Sequence, residues 1–393
     1  MRLKGGVTMG TSIPVNPSIL TWARAELNLS IDDVAFRMKK KPCVILSWEE
    51  GSSSPTYVQL ETLAYEVYKV PLAVFFFSEP PKPSKVKTSF RTTPHAVYDM
   101  IPSGVLKLFR EAENMMDNLY ELNDSREISN QRNILRDFVK SDIVYTAKAL
   151  RQYLSVSINE QKSWNNSETA LKIWREKITE VGIFIFRNPF KGNDYSGFCL
   201  YDESFPIMYL NSSNSKNRQI FTIFHELWHL LSRTSGIDFL HDDRIIHHYD
   251  DDSKNIEVQC NRFAAEFLFP TAEFEKIISQ YAVNEKTFSE ISSEYSVSRE
   301  VVLRRFLDYK LVTQSDYERF SAKWNEEILS KKQAGGGSYF KNEMSYLGEH
   351  YLNMAFDAYY RNNITSSQLA DYLNIKEKTL PDFEANYIGR VMA

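Results

Sequence analysis

The stretch FTIFHELWHLL, Phe221 to Leu231, sets two histidines and a glutamate into an otherwise apolar helical pattern. His225 and His229 are four residues apart. On a helix both lie on one face, close enough for two imidazole nitrogens to hold one zinc ion at about 2.0–2.1 Å. Glu226, beside the first histidine, can take a proton from a water activated there. Phe224, Leu227, Leu230 and Leu231 are left to pack the helix on a sheet, and Leu227 and Trp228 need not touch a metal.

A hydrolytic zinc site of this kind needs a third protein ligand and an open fourth position. The longer pattern H-E-x-x-H-x-x-G-x-x-H supplies a third histidine, but its glycine and histidine positions are Ser232 and Ser235 here. The other solution is a glutamate on a following helix. Glu257, which opens EVQCNRFAAEF, fits that role. Asn261 lies one turn further on the same face, where it can orient the site by hydrogen bonds. The acidic run Asp250-Asp251-Asp252 suits a helix N-terminus. The competing reading is a pair of satisfied core histidines; strands before the helix and a glutamate helix after it weigh against that. His241, His247 and His248 fall in a polar loop from Thr234 to Lys254. Any of them can polarise a substrate carbonyl, although solvated loop residues are the plainer reading. His95 and His350 carry no role, and Cys260 reads as a small packing residue off the ligand face.

The surroundings of this helix mix strands and helices. SETALKIWREKITEVG reads as a helix closed by Gly182, and IFIFRNPF and SGFCLYDESFPIMYLN as strands, rich in β-branched and aromatic residues and punctuated by Pro, Gly and Asn. The helix IEVQCNRFAAEFLF ends at Pro270. Strands followed by two helices make an α+β domain. Toward the N-terminus, Asn16-Pro17 is a cap and first-turn pair, Ser30 with Asp33 resembles a capping box, and Pro55-Thr56 opens the helix YVQLETLAYEVYK. Short helices in this space suggest a helix-turn-helix domain. SEPPKPSKVK reads as a linker, followed by a packing helix in SGVLKLFREAENMMDNLYEL. Beyond Lys286 the chain is helical again, with two helix–turn–helix outlines on either side of the flexible break QAGGGSYF.

At 393 residues the chain has room for two or three domains. A net charge of −4 gives no global pull toward nucleic acid or anionic membrane, so any DNA contact must be local. Three scattered cysteines make no disulfide framework, and a reducing cytoplasm is the simpler compartment. No run of about 18 apolar residues is present to span a membrane. MRLKGGVTMGTSIPVNP lacks an apolar h-region and reads as a loose arm rather than a secretory signal.

IFTIFHELWHLL together with EVQCNRFAAEFLFP resembles the ImmA/IrrE family of metallo-endopeptidases. GFCLYDESFPIMYLNSSNSKNRQIFTIFHE is similar to the strands leading into that domain. WARAELNLSIDDVAFRMKKKPCVILSWEEG and the segment from there to Pro81 resemble the XRE-type helix-turn-helix that precedes the peptidase in longer members. SYLGEHYLNMAFDAYYRNNITSSQLADYLNIK resembles their closing part, so the likeness runs from about Pro17 to Phe383. The resemblance implies a cytoplasmic, gluzincin-like zinc peptidase that cleaves or inactivates a repressor-type protein, in stress response, mobile-element control or toxin–antitoxin-like pairs. Carried over, His225 and His229 are ligands, Glu226 the base and Glu257 the third ligand. Trp228 departs from the small residue common there and can narrow the site. Gln259 and Cys260 stand where glutamate and alanine are common. The expected fold is α+β and mostly helical: an N-terminal helix-turn-helix bundle over residues 1–79, a linker and helical region over 80–166, the peptidase core with a small sheet over 167–285, and a C-terminal helical region over 286–393.

Within the N-terminal part, the second helix-turn-helix element falls at about Lys41 to Glu50. Direct readout favours Arg, Lys, Asn or Gln on that helix, yet it offers Pro42, Cys43, Val44, Leu46 and Ser47, then Glu49 and Glu50. Lys39, Lys40 and Lys41, with Ser47, are the candidate DNA contacts, the lysines for phosphate. Trp48 reads as core. Such domains also serve as protein-interaction modules. Two functions are compatible with this pattern: a zinc endopeptidase acting on a partner protein, or a DNA-binding regulator or toxin–antitoxin component whose peptidase fold is a non-catalytic sensor.

Overall fold

In the computed structural model, residues 12–81, 101–123, 132–164, 166–190, 195–239, 251–330 and 339–391 are described. The chain divides into two compact units, Met1–Glu113 and Asn114–Ala393.

The first unit is built from short capped helices. Asn16 caps α1 (Pro17–Ala25) by accepting from the Ser18 N–H, with Pro17 in the first turn. A full capping box between Ser30 and Asp33 starts α2 (Ile31–Met38). Lys39 then takes a left-handed conformation (φ 52°), and Pro42 opens α3 (Pro42–Glu49). A second capping box, Thr56 with Gln59, starts α4 (Tyr57–Glu61), which continues as a π-helical segment, Thr62–Tyr68. Leu20, Val34, Ile45, Trp48, Leu60 and Phe75 are buried between these pieces. Arg24 clamps Glu49 through two hydrogen bonds of 2.8 and 2.9 Å, fixing α1 to α3.

The helix α5 (Ser103–Leu122) carries the division between the units. In the second unit come α6 (Ile134–Asp137), α7 (Ile143–Tyr153), α8 (Ile158–Lys162) and α9 (Ser167–Thr179). Gly182, at φ 92°, turns the chain into the sheet; a Cβ there would also press to 2.7 Å on the Arg132 carbonyl oxygen. The sheet has four strands, β1 (Phe184–Asn188), β2 (Tyr195–Leu200), β3 (Ile207–Asn211) and β4 (Gly236–Phe239), in the order β1-β3-β2-β4. β1 and β3 run parallel, and β2 is antiparallel to both β3 and β4.

Both faces of the sheet are covered, so its strands read as nearly continuous apolar runs rather than alternating ones. Ile185, Cys199, Met208 and Leu210 join one core with α9 and with α10 (Lys216–Leu231). On the other face Phe198 stacks on Tyr209, and Phe186 meets Tyr351 edge-on. The helix after α10 in this core is α11 (Asp251–Leu268). The structure departs from the sequence expectation at two points here. The expected polar loop from Thr234 to Lys254 contains β4 near its start, and α11 begins at Asp251 rather than past Lys254. A four-residue strand opening on glycine shows no periodicity, and the first turn of a helix need not contain an apolar residue.

After α11 come α12 (Thr271–Ile277), α13 (Glu285–Glu294), α14 (Arg299–Asp308) and α15 (Gln314–Ser330). Phe288, Ile291, Val302 and Phe306 extend the α9–α10–α11 core into these helices. Arg305 of α14 locks this extension. It pairs with Glu266 of α11 at 2.7 Å and donates to the Phe269 carbonyl at 3.0 Å, with both side chains buried. The chain closes with α16 (Tyr339–Leu347), α17 (Glu349–Tyr360), α18 (Ser366–Tyr372) and α19 (Leu380–Val391).

Candidate metal centre

Ser215 caps α10 by accepting from the Arg218 N–H. From Gln219 to Leu231 almost every residue of this helix is buried. The helix lies against β2 where Gly197 has no side chain, since a Cβ there would meet Thr222 Cγ2 at 2.6 Å. Phe224 stacks on Phe267 of α11 with ring centroids 4.1 Å apart, and it meets Trp174 of α9 edge-on. This packing aims His225 and His229 at α11.

There the structure brings the expected residues together. Glu257 Oε2 lies 3.2 Å from His225 Nε2, and Glu257 Oε1 lies 3.3 Å from His229 Nε2. The two histidines are 1% and 3% exposed, and neither Nε2 has a partner in hydrogen-bonding geometry. Asn261 Oδ1 is 3.1 Å from His225 Nδ1. A proton on Nδ1 donated to that oxygen leaves the Nε2 lone pair free to coordinate. Glu226 is fully buried beside them, and no N–H or O–H group donates to its carboxylate; the neighbouring donor is the buried Cys199 thiol, a weak one.

The electrostatics favour a cation at this point. Burial works against a charged His225, but the carboxylates of Asp238, Glu257 and Glu226 outweigh it and hold its pKa up at about 10. Burial likewise works against a charged Glu257, yet His229 and His225 hold it well below the usual carboxylate range. Burial pushes Glu226 up, with Asp238 adding to the push and the two histidines pulling back. A field that stabilises a proton on an imidazole also stabilises a divalent ion between the same groups. Buried nitrogens without hydrogen bonds, a carboxylate facing both, and a mixed N and O donor set fit a divalent metal.

Three residues of this site were missed or misread from sequence. Asp238, inside the stretch taken for a loop, is 3% exposed and lies beneath the histidines' helix. It accepts from Arg218 Nη2 through both oxygens, at 2.8 and 2.9 Å, and from Thr222 Oγ1 at 2.9 Å. Cys260, expected off the ligand face, has its Sγ in one cluster with ring nitrogens of His225 and His229, all within 4.8 Å of one another. Trp228, which the sequence leaves open between cleft wall and core, is buried in the core. Its ring packs on Phe263 of α11, and Lys140 Nζ lies 4.6 Å from the ring centre. Neither Asp238 nor the placement of Trp228 has a signal in the sequence pattern, whereas Cys260 is three residues from Glu257, which a helical wheel places near the same face.

Gly236 seats the second histidine. A Cβ at this position would come to 2.6 Å from His229 Cγ and Nε2. Gly236→Ala is expected to push the His229 ring off its position and weaken metal binding by on the order of ten- to a hundredfold, as losses of supporting contacts do. Competition with a chromogenic chelator measures this, and unchanged affinity would refute the assignment.

The candidate DNA contacts belong to the first unit. Lys39, Lys40 and Lys41 form the exposed link between α2 and α3. Ser47 is engaged within its own unit: its hydroxyl donates to the Val44 carbonyl at 2.8 Å and lies 2.6 Å from Ser53 Oγ. His95, His241, His247 and His248 lie outside the described residues. His350 is exposed on α17, with its ring against Phe184.

No curated protein matches the chain. Residues 178–307 match the M78 peptidase family model, described as an IrrE N-terminal-like domain. That segment holds the sheet, α10, α11 and every residue of the constellation, so this part of the chain is similar to an M78 peptidase domain, which supports the ImmA/IrrE resemblance.

Proposed function

We propose that the chain is a zinc-dependent endopeptidase that cleaves a partner protein of regulator or repressor type. The observation that carries this is the convergence of two buried imidazole Nε2 atoms on the Glu257 carboxylate, at 3.2 and 3.3 Å, beside the buried Glu226 carboxylate. His225, His229 and Glu257 would hold the ion. Bound zinc supplies Lewis acidity, which makes water more acidic and a peptide carbonyl more electrophilic. Glu226 takes the proton of the attacking water on a carboxylate oxygen and passes it to the departing amine. Asn261 fixes the His225 ring, and Gly236 gives the His229 ring its place.

The first unit serves, in this reading, as a recognition module. The exposed side chains of α3 include Cys43 and Leu46, and Phe36 on α2 is 86% exposed. These suit contact with a protein better than base readout, while Lys39, Lys40 and Lys41 remain available to phosphate. A DNA-binding regulator with a non-catalytic sensor domain is the alternative; it predicts a gel shift on upstream DNA with no partner cleaved. Three cysteines without a disulfide, two of them buried, fit a cytoplasmic setting. Among the described residues no helix is long and apolar enough to cross a membrane.

The test is metal removal. Co-expression with the products of neighbouring genes identifies the cleaved partner. Dialysis against chelator is expected to abolish its cleavage, and one equivalent of zinc to restore it. Equal cleavage by the metal-free protein would overturn the proposal.

A further inference from the structure

Cys260 is fully buried, and its Sγ shares the 4.8 Å cluster with His225 and His229. It lies three residues beyond Glu257 on α11. Side chains at i and i+3 of one helix reach a single metal, as the Glu-x-x-His pairs of di-metal helix bundles do. Asn261, the next residue, already grips His225 from the same helix. An alanine would occupy this place in the core; what cysteine adds is a soft donor atom.

The second observation is independent of the thiol. Both histidines are at least nine-tenths buried, and neither Nε2 atom has a hydrogen-bond partner. Glu257 faces those nitrogens from the same helix that carries the sulfur. Two imidazoles and a thiol thus lie within reach of one point, and the Glu257 carboxylate faces the same two rings. We propose that Cys260 is a fourth protein donor, so that the resting site holds its metal through His225, His229, Glu257 and the Cys260 thiolate. This rests on the metal site of the proposed peptidase. It also changes that site's resting state. Four protein donors complete a tetrahedral sphere, the pattern of closed sites, whereas three leave a position for water. With Cys260 bound the fourth place would be taken, and with Cys260 unbound it would be open to water. A thiolate in the set also favours zinc over hard cations such as magnesium.

Cobalt(II) titrated into the metal-free full-length chain separates the two claims. Visible d–d absorption reports a cobalt ion in the site, and a near-ultraviolet thiolate-to-cobalt charge-transfer band reports sulfur bound to it. The expected result is both signals in the unaltered protein. The charge-transfer band is lost in Cys260→Ala and in the nearly isosteric Cys260→Ser, and kept in Cys199→Ala and Cys43→Ser. Zinc-edge X-ray absorption of the unaltered protein gives the same answer without a variant, through a sulfur scatterer at about 2.3 Å. Bound cobalt without the band, or a band that survives loss of Cys260, overturns the thiolate donor and leaves the His225–His229–Glu257 site standing. A protein that binds no cobalt overturns both.

Discussion

Glu226→Gln is expected to keep the metal, keep or slightly raise stability, and lower partner cleavage by on the order of 10²–10⁴-fold, the usual worth of a positioned general base. The substitution preserves shape in a position that is fully buried. Its effect on stability has a definite sign. Burial and Asp238 raise the pKa of Glu226 above its ordinary value, so folding disfavours its charged form. Such a group costs stability above the pKa of the unfolded chain, and that cost grows as pH rises toward the folded pKa. A neutral amide removes it. No N–H or O–H group donates to the two carboxylate oxygens, and the Cys199 thiol beside them is a weak donor, so little is lost when one becomes an NH₂. Thermal melting, metal content and a cleavage time course on the same preparation check the three parts together. A variant that binds zinc and still cuts at the full rate would remove Glu226 from the chemistry. A variant that unfolds would contradict the electrostatics described for the site.

The parts of this site legible in the sequence are those with a local period. His225, Glu226 and His229 announce themselves because four residues make about one helical turn, and Glu257 with Asn261 repeats that spacing on the next helix. Capping residues gave the starts of α1, α2 and α4, since Asn16, Ser30 and Thr56 act on backbone two or three residues away. The strands were legible through β-branched and aromatic content, because burial on both faces removes alternation. What stayed hidden depends on contacts distant in sequence. β4 is too short to show a pattern, yet it places Gly236 under His229 and Asp238 under α10. Trp228 could not be assigned to cleft or core without Phe263, a residue of the next helix, which the structure sets against it. The helix-turn-helix reading of residues 1–79 rests on outline alone: α2, a three-residue link and α3 have that form, and no Arg, Lys, Asn or Gln stands on α3.

Arg218→Ala is expected to destabilise the second unit by about 3–5 kcal/mol, the cost of removing one partner of a buried ion pair and leaving the other charge uncompensated. Asp238 is 3% exposed, and Arg218 supplies two of its three hydrogen bonds, the third coming from Thr222. The pair joins α10 to β4, and Arg218 also donates to Ser196 on β2 at 2.9 Å, so the strain of its loss falls on the elements that seat both histidines. The double variant Arg218→Ala with Asp238→Asn separates charge from packing. If the unpaired carboxylate dominates, the double variant recovers much of the lost stability, because the buried charge is gone. A second readout comes from the site itself. Asp238 already pushes Glu226 upward, and without Arg218 its field reaches Glu226 uncompensated. The acidic limb of the cleavage profile, where Glu226 must shed its proton to act as base, then moves to higher pH in the single variant and moves back in the double. Denaturant unfolding and a pH–rate profile test the two effects separately. A loss below about 1 kcal/mol, the range of exposed pairs, or equal destabilisation of single and double variants, would show that Asp238 is not held as a buried charge and does not set the potential at Glu226.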